Sequence, residues 1–216
     1  MINNFITIEG GDGAGKTTIQ FLLKDKLEKL GYFVVSTREP GGINISEKIR
    51  DILLDPDHTQ MDERTEALLY AASRRQHLVE KIIPALRDGK IVLCDRFIDS
   101  SLAYQGYARG IGMEEIYHLN RFAIEQYMPG LTLLLDIDPK KGLERILSNE
   151  TREKNRLDLE ALHFHQLVYE GYLLLSEKHP KRIKKIDATQ QPDKVATDAL
   201  EHIIKYLNDC NIERGQ

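Results

Sequence analysis

Residues Gly10 to Thr17 read Gly-Gly-Asp-Gly-Ala-Gly-Lys-Thr and satisfy the pattern G-x-x-x-x-G-K-[ST] in full. The glycines let successive backbone N–H groups turn inward around a phosphate, and a helix starting near Lys16 points its positive end at the same spot. Lys16 is expected to reach the β- and γ-phosphates of ATP, and the Thr17 hydroxyl to ligate Mg²⁺. Gly11, Asp12, Gly13, Ala14, Gly15, Lys16, Thr17 and Thr18 together form the expected ATP-phosphate cradle. A second charged pair follows at Asp95-Arg96. An aspartate at a strand end beside such a loop can hold Mg²⁺ or polarise an acceptor, which makes Asp95 a second metal candidate. The Arg96 fork suits another phosphate, with a surface salt bridge as the ordinary alternative. The chemistry these residues could do is phosphoryl transfer from ATP to an acceptor that already carries a phosphate.

The same cradle serves GTPases and nucleic-acid motors. A GTPase would add N-K-x-D for guanine, and that tetrapeptide does not occur. A motor would end a strand in two acids, whereas Ile91 to Asp95 runs into an acid and then a base. The 30 basic and 34 acidic residues give a formal charge of −4, which argues against a nucleic-acid groove. No stretch approaches the ~18 apolar residues that cross a bilayer, and no basic leader precedes the first apolar run. Two isolated cysteines, Cys94 and Cys210, suit a reducing cytoplasm, and Cys94 lies inside an apolar run as a buried thiol.

Elements that would position these residues are legible as alternation. Five apolar runs read as strands: Phe5 to Glu9, Phe33 to Thr37, Ile91 to Asp95, Leu131 to Asp136 and Arg182 to Asp187. The first helix carries Ile19, Leu22, Leu23, Leu27 and Leu30 on one face and stops at Gly31. Further helices are expected over Asp62 to Leu86, Glu114 to Tyr127, Lys140 to Leu147, Leu159 to Ser176 and Asp193 to Tyr206. Pro40 to Ile45 and Ser148 to Arg156 read as irregular. The 216 residues suit one α/β domain over residues 1–216, a mostly parallel sheet with helices on both faces. Ligands in such folds sit beyond the carboxyl ends of the strands, here Glu9-Gly10, Arg38-Glu39, Asp95-Arg96 and Asp136.

Six segments in order, EGGDGAGKTT (9–18), TREPGG (37–42), EALLYAASRR (66–75), DRFIDSSLAYQ (95–105), NRLDLE (155–160) and DATQ (187–190), resemble thymidylate kinase and span nearly the whole chain. The resemblance implies a nucleoside monophosphate kinase-like fold with a five-stranded parallel sheet, a homodimer packed through helices, and the substrates ATP and thymidine monophosphate. It implies that Tyr70 stacks on thymine and that Arg74 donates to a thymine carbonyl. Ser101 and Gln105 would read the pyrimidine edge, and Tyr104 would crowd the sugar 2′ position. Arg50 and Arg96 would clamp the acceptor phosphate, bordered by Arg38 and by Glu39 on the metal side. Asp12 would bond the sugar 3′-hydroxyl, where bacterial-type members commonly carry Glu. Position 13 is Gly, so a basic P-loop residue is absent and the transition-state charge falls to lid arginines Arg152 and Arg156 within 148–156. Residues 187–190 would lie against adenine, with Arg145 over the ring. The catalytic set is then Lys16, Asp95, Arg152 and Arg156. The acceptor phosphate is already ionised near neutral pH, so transfer is direct and in line, and His77, His163 and His165 are structural. A nucleoside kinase, which would need no phosphate clamp, and a non-catalytic nucleotide-binding regulator are the other readings.

Overall fold

The computed structural model describes residues 2–148 and 156–212. The apolar runs pair as one parallel sheet in the order β2-β3-β1-β4-β5, with β1 Ile2–Glu9, β2 Val34–Arg38, β3 Ile91–Asp95, β4 Pro129–Asp136 and β5 Ile183–Asp187. Every residue of β3 is buried, as a strand covered on both faces requires. The edge strand β5 buries Ile183 and Ile186 and leaves Lys185 to solvent. Register aligns the charged strand ends. Asp95 lies opposite both Ile8 and Arg38, and Asp136 opposite Asp187.

Two apolar layers hold the helices. On one face, α1 (Lys16–Lys29) and α9 (Pro192–Asp209) bury Ile19, Leu23, Leu27, Ala199 and Ile203 against Ile6, Leu93 and Leu133. On the other lie α3 (Glu63–His77), α4 (Ile83–Arg87), α6 (Met113–Ile124) and α8 (Leu162–Lys178). There Leu78, Ile82, Ile116, Val168 and Leu175 pack with Phe5, Val92 and Phe97. Each such side chain contributes roughly 1.5–3 kcal/mol on burial. A buried bidentate pair, Arg182 to Asp99 at 2.6 and 2.7 Å, ties the segment after β3 to the foot of β5.

The sheet and most helices match the sequence reading, with four differences, the last a helical stretch after β3 that was not expected. α2 (Asn44–Leu54) lies partly in the stretch expected to be irregular. It buries only Ser46 and Leu53 and exposes Ile45 and Ile52, so its apolar residues do not mark a core face. The helix expected over 62–86 instead runs as α3, a π-helical turn at Leu78–Ile82 and α4. Pro84 lacks the N–H that would bond the carbonyl of Glu80, and the wider turn absorbs the mismatch. The helix expected from Leu159 starts at Leu162, after a 3₁₀ turn at Arg156–Leu159. A short α5 (Ile98–Ser101) continues into a second π-helical stretch, Leu102–Ala108, and α7 (Pro139–Leu147) follows β4.

Candidate active site

A cavity of about 760 Å³ opens at the carboxyl edge of the sheet. Its lining includes residues 188–192, the P-loop, Tyr70 and Gln105. Gly13 and Gly15 hold φ of 75° and 87°, the left-handed region that glycine enters freely. A Cβ at Gly13 would stand 2.0 Å from the carbonyl oxygen of Gly142 on α7. This packing explains why the loop carries no basic side chain there. Lys16 is 8% exposed, and its ammonium donates to the carbonyls of Gly10 at 3.1 Å and Gly11 at 2.8 Å. Burial, then repulsion from Arg96, lowers its pKa to about 8.

Arg96 has φ 69°, a left-handed turn rare for a non-glycine residue. Glu9 supports the turn by accepting from the Phe97 and Ser100 N–H groups and from the Ser100 and Tyr172 hydroxyls. Burial and the neighbouring Asp99 push Glu9 up to about 7. The turn brings the Arg96 guanidinium back to Asp12 at 2.6 Å and over the Tyr104 ring at 5.0 Å. The other Asp12 oxygen accepts from the Tyr104 hydroxyl at 2.8 Å, and His165 Nδ1 lies 3.8 Å away from it. Burial would raise the Asp12 carboxyl, but Arg96 and Lys16 override it and hold it at about 2. Arg38 and Arg50 line the same wall. Arg38 reaches Glu47 at 2.9 Å and Arg50 the Pro40 carbonyl at 3.1 Å. Burial and then Arg38 lower the pKa of Arg50, so this wall favours an anion.

Tyr70, Arg74, Ser101, Tyr104 and Gln105 all line the far end of the cavity. Arg74 is buried, and four of its five N–H bonds are engaged: with Glu39 at 2.7 Å, Ser101 Oγ at 2.9 Å, Asn120 Oδ1, and the Phe97 carbonyl at 2.9 Å. Among the described residues, one Nη2–H is left to donate. Glu39, expected to border the acceptor phosphate on the metal side, lines the cavity, and its oxygens accept from Arg74 and from His77 Nδ1 at 3.0 Å. Because a carboxylate only accepts, His77 Nδ1 is the donor to Glu39, and Nε2 shares a hydrogen bond with the Thr37 hydroxyl at 2.6 Å. Glu39, His77 and Cys94 place their donor atoms within 4.8 Å of one another. Both ring nitrogens are already bonded, however, and the thiol donates to the Arg96 carbonyl at 3.1 Å. The cluster is a hydrogen-bonded brace for Arg74.

A divalent cation fits at Thr17 and Asp95. The Thr17 hydroxyl donates to Asp95 Oδ2 at 3.0 Å. The buried Oδ1 has no hydrogen-bond partner among the described residues, a costly state for a carboxylate oxygen that a hard cation would relieve.

Arg152 lies outside the described residues. Arg156 does not line the cavity; its side chain is buried, donating to the Leu53 carbonyl at 3.0 Å and to Glu66. The expectation of Arg156 at a lid over the phosphates is thus met in this structure by a side chain held away from the cavity, on Glu66 and the Leu53 carbonyl. Arg145 donates to the Ala188 carbonyl at 3.1 Å and lines the cavity with Thr189 and Gln190, at the end expected for adenine. Sequence reading assigned no role to Glu9, Glu66, Asn120 or Tyr172. Glu66 stands inside a quoted segment, but nothing in its spacing distinguishes it from a solvated helical acid.

The profile of the family described as thymidylate kinase matches residues 8–199. The chain is 60% identical over 209 residues to the thymidylate kinase of Oceanobacillus iheyensis, covering 97% of this chain and 93% of that protein. It is 63% identical over 191 residues to that of Clostridium novyi, covering 88% and 93%. The crystal structure of thymidylate kinase from Ehrlichia chaffeensis superposes with a TM-score of 0.75 at 34% identity, covering 93% of this chain and 97% of that one. On these matches, and with the P-loop seated at the carboxyl edge of a five-stranded parallel sheet, the chain belongs to the thymidylate kinase family and is a phosphotransferase of that kind.

Proposed function

We propose that the protein passes the γ-phosphoryl group of ATP directly to an oxygen of thymidine monophosphate, giving the diphosphate and ADP. The observation that carries this reading is Arg96, folded back from the end of β3 onto P-loop Asp12, with Arg38 and Arg50 beside it. Three arginine forks beside the ATP cradle support its reading as a phosphate clamp. The acceptor oxygen needs no general base, so positioning and charge neutralisation do the work. Tyr70 offers a face for thymine. Arg74 and Gln105 meet the base edge, supported by Ser101. Tyr104 and Asp12 bound the sugar. Lys16 exchanges the Gly10 and Gly11 carbonyls for the transferred phosphates. Arg152 is a candidate for charge on the moving phosphoryl group. Mg²⁺ held by Thr17 and Asp95 would neutralise phosphate charge. Asp95→Asn is expected to lower turnover about 10²-fold and to raise the Mg²⁺ concentration giving half-maximal rate. Unchanged Mg²⁺ dependence would count against that ligand.

Lys16 also makes ATP binding pH-dependent. With its pKa at about 8 in the free protein, the ammonium is increasingly deprotonated above that pH, and a bound polyphosphate restores the charge. Affinity for ATP is therefore expected to fall as pH rises through about 8. Binding should take up a proton near pH 9 but almost none near pH 7, as read by calorimetry in two buffers of different ionisation enthalpy. Equal uptake at both would contradict the assignment.

A homodimer is supported by apolar side chains presented on α3 and α6. Leu68 and Tyr117 are partly exposed there, and Phe122 is 88% exposed. Two thiol cysteines, one of them buried, suit a cytoplasmic setting. No helix among the described residues is long and apolar enough to cross a membrane.

A further inference from the structure

Glu66 does not line the cavity, yet it touches a residue that does. It is 1% exposed and accepts from Gln105 Nε2 at 2.8 Å. Two arginines fix its carboxylate: Arg156, and Arg109 at 3.4 Å, which also reaches Glu160 at 2.6 Å. A glutamine amide has two faces with opposite meaning. Thymine offers N3–H as donor and O4 as acceptor, so a bidentate amide must present oxygen to N3 and N–H to O4. Turned over, the same amide presents N–H to N3 and oxygen to the 4-amino group, which is the pattern of cytosine. A carboxylate accepts and never donates. Against Glu66 only the nitrogen can face inward, and the amide oxygen is left for the ligand.

We infer that Glu66 is a positioning residue that locks the Gln105 amide in the orientation reading a pyrimidine N3–H, and thereby excludes deoxycytidine monophosphate. This rests on the proposed contact between Gln105 and the base. The lock works without touching the substrate, and its own geometry is held by the two arginines. In Glu66→Gln the new amide can accept or donate, so Gln105 is free to take either orientation. Arg74 still offers an N–H that suits O4 and opposes an amino group, so some discrimination survives.

The test is kcat/KM for thymidine and deoxycytidine monophosphates in the wild type, Glu66→Gln, Glu66→Asp and Arg109→Met, each assayed well below its own unfolding temperature. The expected result is a wild type that strongly prefers thymidine monophosphate. In Glu66→Gln the preference should fall at least about tenfold, near 1.4 kcal/mol. Glu66→Asp keeps the charge for the arginines while withdrawing the carboxylate from Gln105. It is expected to lose preference too, and it stands in if the Gln variant does not fold. Arg109→Met, which loosens the same cluster but leaves Glu66 on Gln105, should keep the wild-type preference. A preference unchanged in both Glu66 variants would overturn the lock while leaving the base contact standing, as would an equal loss in Arg109→Met. A wild type indifferent to the two bases would overturn the base contact itself.

Discussion

Arg96→Ala is expected to lower kcat/KM for thymidine monophosphate about 10³-fold, roughly 4 kcal/mol of transition-state stabilisation, with KM for ATP little changed. Arg96 meets P-loop Asp12 directly, at 2.6 Å, while also stacking on Tyr104. Removing it deletes a fork that matches phosphate geometry and releases the carboxylate and phenol that bound the sugar. A stability cost accompanies the loss. The folded Asp12 pKa is depressed to about 2, so its contribution is present above the ordinary aspartate value and disappears as pH falls through about 2. Without Arg96 that depression shrinks, and stability at neutral pH drops by about 1–2 kcal/mol. Backbone strain separates this cost from catalysis. At φ 69° glycine is at ease and alanine is not, so Arg96→Gly should be more stable than Arg96→Ala by up to about 1 kcal/mol and equally inactive. Thermal unfolding and steady-state kinetics on both variants check this, and near-normal turnover in either would remove Arg96 from the clamp.

Lys16→Met should have an effect on turnover of the same size and almost none on the fold. In the free protein the ammonium is buried and its pKa is depressed to about 8, so holding it costs stability. An apolar side chain of similar length removes that cost, leaves the Gly10 carbonyl its bond from Arg96 at 3.2 Å, and leaves the Gly11 carbonyl to water or to its own loop. Melting temperature is expected to hold or rise while kcat falls about 10³-fold, because the charge that follows the transferring phosphoryl group is gone. A melting temperature far below wild type would show that Lys16 braces the loop. A kcat within tenfold of wild type would deny it the phosphates.

What could be read from sequence divides along physical lines. The sheet was legible because continuous apolar runs of strand length have few other uses, and β3 is buried throughout. The P-loop was legible because glycine, lysine and threonine at fixed spacing each answer a separate need of a bound triphosphate. α2 was missed although Ile45, Ile49, Ile52 and Leu53 fall at helical spacing, because the helix is short, follows directly on the Gly-rich turn at 40–42 and buries little of that stripe. The partners of Arg156 were hidden for a different reason. An arginine in a charged stretch looks solvated or catalytic, and only the fold shows Glu66 and the Leu53 carbonyl waiting for it. The Glu39 carboxylate has the same kind of long-range partners, Arg74 and His77, which spacing did not show. Buried polar pairing depends on contacts distant in sequence, which spacing along one chain does not report.

The central claim is met most directly by measuring ADP formation from magnesium ATP with each common nucleoside monophosphate offered separately. The account predicts strong turnover with thymidine monophosphate and weaker turnover with deoxyuridine monophosphate, by the ~1–3 kcal/mol that one methyl group supplies. It predicts little turnover with the others. Preference for another monophosphate would overturn the roles given to Tyr70, Arg74, Ser101 and Gln105. Silence with every acceptor, from protein that still binds ATP, would contradict the account as a whole.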